Sequence, residues 1–325
     1  MSIELNGDFY KTNLLVEQHF HGAFGVDFSV CESDEILFLA RQILKHGIGG
    51  FYPTLVTDSV ENIKRQVKRI KEAATRQTDD MAQILGIHLE GIFINPERKG
   101  IHDEALFLKP TIENYRLFED DFIKIITLAP ELDEGGVLRK YLSDKGVKVQ
   151  AGHCSDADLS HCSGVTHLFN AMKGISHREA STSLSALIND DIYTEIIADG
   201  IHLSDDILNL VFKSKPEDKM ILVSDSLPLA SSDLTEMNFA GQKIFYDGKK
   251  ATSAQGTIAG STMVLDGIIK RLSFKNPDAF EKYVKMASDN LFNYHDIEIK
   301  GCAFWNSDFE IVAVEKSGAV LYKNV

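Results

Sequence analysis

The chain has 325 residues, of which 44% are hydrophobic and 25% are charged. This composition is typical of a globular protein with a large core, and the length allows one α/β barrel or two ordinary domains. The net charge of −14 argues against a nucleic-acid partner, because phosphate backbones are bound by clustered Lys and Arg. The sequence carries no signal-peptide pattern and no apolar run long enough to span a bilayer. We therefore expect no membrane partner and a cytoplasmic protein with free thiols.

Short runs of β-forming residues alternate with longer amphipathic stretches along most of the chain. Eight runs are predicted strands, at residues 14–20, 51–56, 84–89, 123–129, 147–151, 165–169, 193–198 and 220–225. Helical patterns lie between many of them, for example at 33–46, 59–76 and 204–213. Because strands that alternate with helices form parallel sheets, eight such units predict a closed (β/α)8 TIM barrel.

Two segments depart from this alternation. Residues 238–256 contain Asp247-Gly248 between β-forming residues, which predicts a hairpin. The C-terminal stretch predicts a second hairpin that turns near residues 316–318. We expect the barrel to occupy residues 14–295, with a reduced small β element formed by residues 1–13 and 296–325.

Side chains that can bind metals fall at the ends of the predicted strands. His19 and His21 share one face of the first strand, since residues i and i+2 of a strand point the same way. The others end or follow later strands, and they are Glu90, His153, His167 and Asp225. A single rim histidine is more often structural, but barrel enzymes carry their catalytic groups at this rim. The joint pattern therefore predicts a site for one or two divalent cations.

Asp225 ends the last predicted strand, which places a carboxylate beside the expected metal. A hydrolytic site needs a base that deprotonates water and an acid that protonates the leaving group, and one carboxylate does both in turn. A metal-dependent hydrolase is therefore the expected class of protein.

Three later segments are expected to bind substrate. The segment GTIAGS (256–261), which includes Ile258, is rich in glycine and is expected to open a helix whose N–H groups receive an oxygen-rich ligand. Asn170, Arg178 and His202 follow the sixth and seventh strands and are expected to recognise a phosphate or sugar hydroxyls, although Arg178 is equally compatible with a surface charge.

The chain contains the motifs HLEG (88–91), THLFNAM (166–172) and ADGIH (198–202) in that order. With these motifs the sequence resembles the N-acetylglucosamine-6-phosphate deacetylases, a family of the amidohydrolase superfamily, to which the three together are highly specific. The resemblance implies an enzyme that converts N-acetylglucosamine 6-phosphate to glucosamine 6-phosphate and acetate. It also implies one or two divalent ions per subunit, which would be Zn, Fe, Mn or Co.

The same resemblance implies roles for individual residues. Those that would hold the principal ion are Glu90, His153 and His167, and those that would hold a second ion bridged by Glu90 are His19 and His21. Asp225 would activate water and then protonate the amine, and His102 would lie beside the scissile amide. Asn170 and Ala171 would contact the sugar phosphate. Arg178 and His202 would reach the phosphate from the neighbouring subunit, which implies a homodimer.

Several positions differ from the usual pattern of the family. Ile92 stands where Pro is usual, Cys154 where Ser or Thr is usual, and the loop at Arg178 reads REAS instead of REPG. The stretch between His153 and His167 is short, which trims a helix, and the usual N-terminal β-structure is much reduced. Two alternatives stay open: the same hydrolysis of another N-acyl amino sugar, such as N-acetylgalactosamine 6-phosphate, and a non-catalytic barrel that binds a sugar phosphate.

Overall fold

The computed structural model describes residues 9–155 and 158–323. In chain order its strands are β1 (Tyr10–Asn13), β2 (Leu15–Phe20), β3 (Gly22–Ala23), β4 (Val26–Asp27), β5 (Ile48–Leu55), β6 (Gln83–Ile84), β7 (Ile87–Glu90), β8 (Ile123–Leu128), β9 (Lys148–Ala151), β10 (Gly164–Val165), β11 (Tyr193–Ile197), β12 (Met220–Val223), β13 (Glu236–Phe239), β14 (Gln242–Tyr246), β15 (Ala251–Ser253), β16 (Ile258–Gly260), β17 (Gly301–Trp305), β18 (Ile311–Lys316) and β19 (Ala319–Lys323). Its helices are α1 (Ser33–Lys45), α2 (Val60–Arg76), α3 (Ile112–Tyr115), α4 (Val137–Asp144), α5 (Thr182–Ile188), α6 (Asp205–Ser214), α7 (Leu265–Lys275), α8 (Phe280–Met286) and α9 (Asp289–His295). None of the helices in these ranges has the length and apolar character needed to cross a membrane.

Eight parallel strands form a barrel in the order β2-β5-β7-β8-β9-β10-β11-β12, so all eight predicted strands are confirmed. The last strand returns to the first just beyond its end. There the Asp225 N–H donates to the His19 carbonyl at 2.9 Å, and the His21 N–H donates to the Ser226 carbonyl at 2.8 Å. The backbone bonds that close the barrel therefore also hold three of the predicted metal ligands in place.

The three helices predicted from periodicity form as α1, α2 and α6. The hydroxyls of Ser59 and Ser204 accept backbone N–H bonds at the starts of α2 and α6, which satisfies donors that the first turn of a helix leaves free. Between β9 and β10, residues 152–155 and 158–163 contain no helix, as expected for a shortened connection.

A four-stranded antiparallel sheet, β13–β16, follows the last barrel strand. The hairpin predicted at Asp247-Gly248 is confirmed as the turn between β14 and β15. The prediction that residues 256–261 open a helix is wrong. Ile258–Gly260 instead form β16, which pairs with β15, and the next helix begins only at Leu265. A free sheet edge left by the preceding hairpin captures this segment, and glycine content alone does not reveal such an edge.

A second antiparallel sheet joins the two ends of the described chain. β1 pairs with β17, and the predicted C-terminal hairpin is confirmed as β18–β19. Trp305 of β17 is fully buried, and its ring centroid lies 5.4 Å from that of Phe280 on α8. The sheet is thereby packed against the helices that follow the barrel. Whether residues 1–13 and 296–325 are a unit separate from residues 14–295 stays a prediction, and residues 1–8 lie outside the described ranges.

Candidate metal centre

Glu90, at the end of β7, is the centre of a buried cluster at the mouth of the barrel. Its Oε1 lies 3.1 Å from His153 Nε2 and 2.8 Å from His167 Nε2. Its Oε2 lies 3.4 Å from His19 Nε2 and 3.1 Å from His21 Nε2. The two oxygens of one carboxylate therefore face two different pairs of imidazoles.

Asp225 completes the side of the cluster that contains Glu90 Oε2. Its Oδ1 lies 3.4 Å from His19 Nε2 and 3.1 Å from His21 Nε2. The predicted strand-end residues thus converge in space as expected. They form two groups, and Glu90 belongs to both.

In two histidines of the cluster, the ring nitrogen that points away from Glu90 shows which nitrogen carries the proton. His21 Nδ1 lies 3.3 Å from the Thr54 carbonyl and His153 Nδ1 lies 2.8 Å from the Arg98 carbonyl. A carbonyl only accepts hydrogen bonds, so each Nδ1 donates to it. In the neutral ring the Nε2 lone pair then points toward Glu90, which is the usual arrangement of a histidine that binds a metal.

The cluster fits a divalent metal. Two ligands that lie about 2.0–2.1 Å from a zinc ion are about 3.4 Å apart at the tetrahedral angle, close to the separations seen here. His153 Nε2 and His167 Nε2 are only 3.1 Å apart. His19 Nε2 is buried and has no hydrogen-bond partner among the described residues. A buried polar atom without a partner is costly, and a cation between these ligands would remove that cost.

The electrostatics of the cluster favour a bound cation. Burial opposes charge on His21, but its hydrogen bonds to Asp225 and Glu90 raise its pKa to about 9. Burial likewise opposes charge on Asp225, yet the neighbouring His19 and His21 lower its pKa below the ordinary value. The carboxylates thus attract positive charge, which protons supply when no metal is bound. Metal binding would displace those protons.

His102 has the opposite tautomer. The Thr57 hydroxyl accepts the Ile92 N–H at 2.8 Å, and His102 Nδ1 lies 2.8 Å from that hydroxyl and 3.3 Å from the Thr57 N–H. Nδ1 is therefore the acceptor, and Nε2 carries the proton, 4.0 Å from Glu90 Oε2. Burial, with a further contribution from His153, lowers the pKa of His102 to about 3, so the ring is a neutral donor.

Local backbone geometry explains why these residues need particular neighbours. Gly91 follows Glu90 with φ +116°, and a Cβ there would lie 2.2 Å from Thr57 Oγ1 and 2.9 Å from His102 Nδ1. Only glycine leaves room for the contact that orients His102. His153 and Asp225 each have a φ of 50°, a conformation that is unfavourable for residues with a side chain and that occurs often at functional sites.

A cavity of about 480 Å³ opens above the cluster, within the range of small-molecule sites. Among the predicted site residues, those that line it are His21, Glu90, His102, His153, His167, Asn170, Ala171, His202, Asp225 and Ile258. His19 is fully buried beneath it. Ile258 reaches the cavity from a strand rather than from the start of a helix.

The two residues predicted to reach the phosphate of a neighbouring subunit lie in different places. His202 was expected to complete the neighbour's site, but it lines the cavity of its own chain, and its Nδ1 lies 2.8 Å from Asp199 Oδ2. That bond lies within the turn after β11 and directs the ring inward. Whether His202 also completes the site of a neighbouring subunit stays a prediction. Arg178 is exposed and lies outside the residues that line this cavity.

Two further residues were missed in the sequence. Arg98 is the only Lys or Arg among the described residues that line the cavity, and its Nε donates to Ser155 Oγ at 2.9 Å. Glu195, on β11, is fully buried and bonds to His19. Its position within a predicted strand was a usable signal, because a charge inside a buried strand requires a partner. No comparable pattern marked Arg98.

Comparison with known proteins assigns this site to a family, although no protein-family model matches the chain. It is 31% identical over 328 residues to the N-acetylglucosamine-6-phosphate deacetylase of Rattus norvegicus, covering 92% of this chain and 78% of that protein. The enzyme of the same name from Bacillus subtilis is 28% identical over 320 residues, covering 94% and 81%. The crystal structure of the Pasteurella multocida enzyme superposes with a TM-score of 0.85 at 26% identity, covering 96% and 85%.

A parallel barrel with a cluster of histidine and carboxylate side chains at its mouth, in a chain similar to these deacetylases, defines an enzyme of the amidohydrolase superfamily. Within that superfamily, the chain belongs to the N-acetylglucosamine-6-phosphate deacetylase family.

Proposed function

We propose that the chain is a metal-dependent deacetylase that hydrolyses N-acetylglucosamine 6-phosphate to glucosamine 6-phosphate and acetate. The observation that carries this proposal is the arrangement of imidazoles around both oxygens of Glu90, beneath a cavity of ligand size, in a chain of this family. Imidazole and carboxylate ligands suit Zn, Fe, Mn and Co, so any of these would serve.

The ligands are proposed to form two sets that share one carboxylate. The set for the principal ion is Glu90, His153 and His167. The set for a second ion is His19, His21 and Asp225, with Glu90 as the bridge. When bound, such an ion lowers the pKa of water and polarises the carbonyl of the substrate.

Asp225 is proposed to move the proton. Its lowered pKa keeps the carboxylate ionised, so it begins the reaction as a base that accepts a proton from water. It lies on the wall of the cavity, where it would then pass that proton to the departing amine. Proton delivery is needed because an amine leaves an amide carbon much more readily as a neutral molecule than as an anion.

His102 is proposed to bind the amide carbonyl oxygen. Its Nε2–H is the free end of a ring that Thr57 fixes from the other side. A neutral donor held in this way stabilises negative charge that develops on the oxygen and needs no rearrangement during the reaction.

We propose that the sugar phosphate binds to cavity residues outside the metal cluster. The residues proposed to bind it are Asn170, Ala171, His202, Ile258 and Arg98. Arg98 supplies positive charge within this otherwise acidic chain, and a guanidinium forms strong paired bonds with phosphate. We also propose a cytoplasmic homodimer in which Arg178 approaches the neighbour's cavity, as the family resemblance implies.

Acetate release from a panel of sugars tests the proposal. The panel comprises N-acetylglucosamine 6-phosphate, N-acetylgalactosamine 6-phosphate and unphosphorylated N-acetylglucosamine. We expect kcat/KM to be highest for the first, by roughly tenfold or more over the unphosphorylated sugar, because charge-assisted hydrogen bonds contribute about 1.5–3 kcal/mol. Equal rates with and without the phosphate would contradict the role of Arg98. Preference for the galactosamine compound would identify a different substrate.

A further inference from the structure

Glu195 is a buried carboxylate on β11 that touches ligands on both sides of Glu90. Its Oε2 lies 2.9 Å from His19 Nδ1 and accepts the backbone N–H of His167 at 3.2 Å. Its Oε1 accepts a hydrogen bond from the Gln18 side chain. An ionised carboxylate only accepts hydrogen bonds, so His19 Nδ1 donates to Glu195, and Nε2 is the free end of the neutral ring.

The other histidines of the cluster show why this contact matters. His21 and His153 direct Nδ1 to backbone carbonyls, which fixes their rings without any further side chain. His19 is directed by the Glu195 side chain instead. His167 Nδ1 has no partner within the described residues, and the same Glu195 carboxylate accepts the His167 backbone N–H.

We propose that Glu195 is a positioning residue of the metal centre that fixes His19 as an Nε2 ligand and ties the His19 side of the cluster to the His167 side. The inference rests on the proposed function only in requiring that the site hold a metal. Outer partners of ligand histidines commonly change metal affinity by about 10–100-fold when they are removed. Loss of the Glu195 charge should therefore weaken metal binding without removing a ligand.

Glu17 provides a control for the glutamine substitution itself. It is a buried glutamate on β2, and its two oxygens accept the backbone N–H groups of His19 at 3.1 Å and of Ser224 at 3.1 Å. Unlike Glu195, it has no hydrogen bond to an imidazole among the described residues. Burial raises the pKa of Glu17 to about 8, so Glu17→Gln replaces a buried carboxyl that is largely protonated near neutral pH. The change therefore reports the effect of a glutamine substitution next to the His19 backbone and leaves the His19 ring bond intact.

The test is competition for Zn²⁺ between a chromophoric chelator and the metal-stripped full chain, as wild type, E195Q, E17Q and H19N. We expect E195Q and H19N to weaken the same Zn²⁺ step, E195Q by about 10–100-fold, and E17Q to change it by less than about twofold. The inference is overturned if E195Q binds like the wild type, if E17Q weakens Zn²⁺ binding as much as E195Q, or if H19N leaves binding unchanged.

A measurement on the wild type covers the case in which E195Q does not fold. In ¹⁵N spectra of the Zn²⁺-loaded protein, with His19 assigned by comparison with H19N, the His19 proton should reside on Nδ1. A proton on Nε2 would overturn the inference. Acetate release from the same wild-type sample separates the two proposals. If the variants change Zn²⁺ binding as expected but the wild type releases no acetate, only the proposed function is contradicted.

Discussion

Two histidines of the barrel interior are equally buried but differ in how their nitrogens are used. His88 is satisfied at both, with Nδ1 3.0 Å from the Gln18 carbonyl and Nε2 2.8 Å from Thr127 Oγ1. His19, whose ring centroid is only 4.7 Å away, leaves Nε2 without a partner among the described residues and beside two carboxylates. Burial therefore does not distinguish a structural histidine from a candidate metal ligand, whereas a ring nitrogen without a partner does.

The hydrogen bonds of His88 continue into a network of buried side chains. Thr127 Oγ1 lies 2.7 Å from Thr166 Oγ1, which donates to Gln150 Oε1 at 3.0 Å. Groups of this kind stabilise the barrel because each finds its partner. The cluster around Glu90 instead combines histidines with carboxylates and leaves His19 Nε2 without a partner among the described residues, and we attribute the chemistry to that difference.

The largest expected effect comes from Asp225→Asn. Because the amide cannot accept and return a proton, we expect kcat for acetate release to fall by roughly 10²–10⁴-fold. Steady-state kinetics with the metal content measured on the same sample would show this. Asp133→Asn is the control, since Asp133 is a buried aspartate that pairs with Arg139 outside the cluster. A fully active D225N enzyme would remove Asp225 from the mechanism.

The next largest effect tests the difference between the cluster around Glu90 and the hydrogen-bond network around His88. We expect His153→Asn to lose its metal on dialysis against a mild chelator, and His88→Asn to keep it. His88→Asn should instead lower the free energy of unfolding by about 1–3 kcal/mol, because it leaves buried partners unsatisfied. Metal analysis and urea unfolding of both variants measure this. If His88→Asn lost metal as readily as His153→Asn, the distinction between the cluster around Glu90 and the network around His88 would be wrong.

The residues of the candidate site also show how much the sequence could predict. Glu90, His153, His167 and Asp225 follow strands of a parallel barrel, and all such strands end at one rim, so their convergence was foreseeable. The position of the His202 ring was not foreseeable, because a hydrogen bond to Asp199 within a turn sets the direction of the ring.

The connections after the strands were the hardest to predict. Arg98 lies in the long connection after β7, whose path is set by tertiary packing. Ile92, in the same connection, has a φ of 64°, whereas a proline ring holds φ near −65°. The usual proline of the family could not adopt this conformation, so the loop itself differs from the expected pattern.

A smaller effect is expected on binding of the phosphate group of the substrate. Arg98→Ala should raise KM for N-acetylglucosamine 6-phosphate by roughly tenfold and leave KM for the unphosphorylated sugar nearly unchanged, since a charge-assisted bond is lost only with the phosphate. Arg178→Ala is the matched comparison, measured at concentrations above and below subunit association. A larger KM change in Arg178→Ala would assign the phosphate to the neighbouring subunit.

The smallest expected effect concerns pH. The pKa of His21 is raised from 6.5 to about 9, so charged His21 stabilises the metal-free fold fully below pH 6.5, and this contribution is lost as pH rises through 9. We expect the Tm of the metal-free wild type to fall by a few degrees more than that of His21→Asn between pH 6.5 and 9. Calorimetry after chelation measures this, and parallel curves for the two proteins would contradict it.

The most direct test of the account is acetate release from N-acetylglucosamine 6-phosphate by the folded chain, with metal content determined on the same sample. The account predicts acetate and glucosamine 6-phosphate in equal amounts, release that stops when the metal is removed, and recovery when Zn²⁺, Fe²⁺, Mn²⁺ or Co²⁺ is restored. A folded, metal-loaded protein that releases no acetate with any of these ions would contradict it.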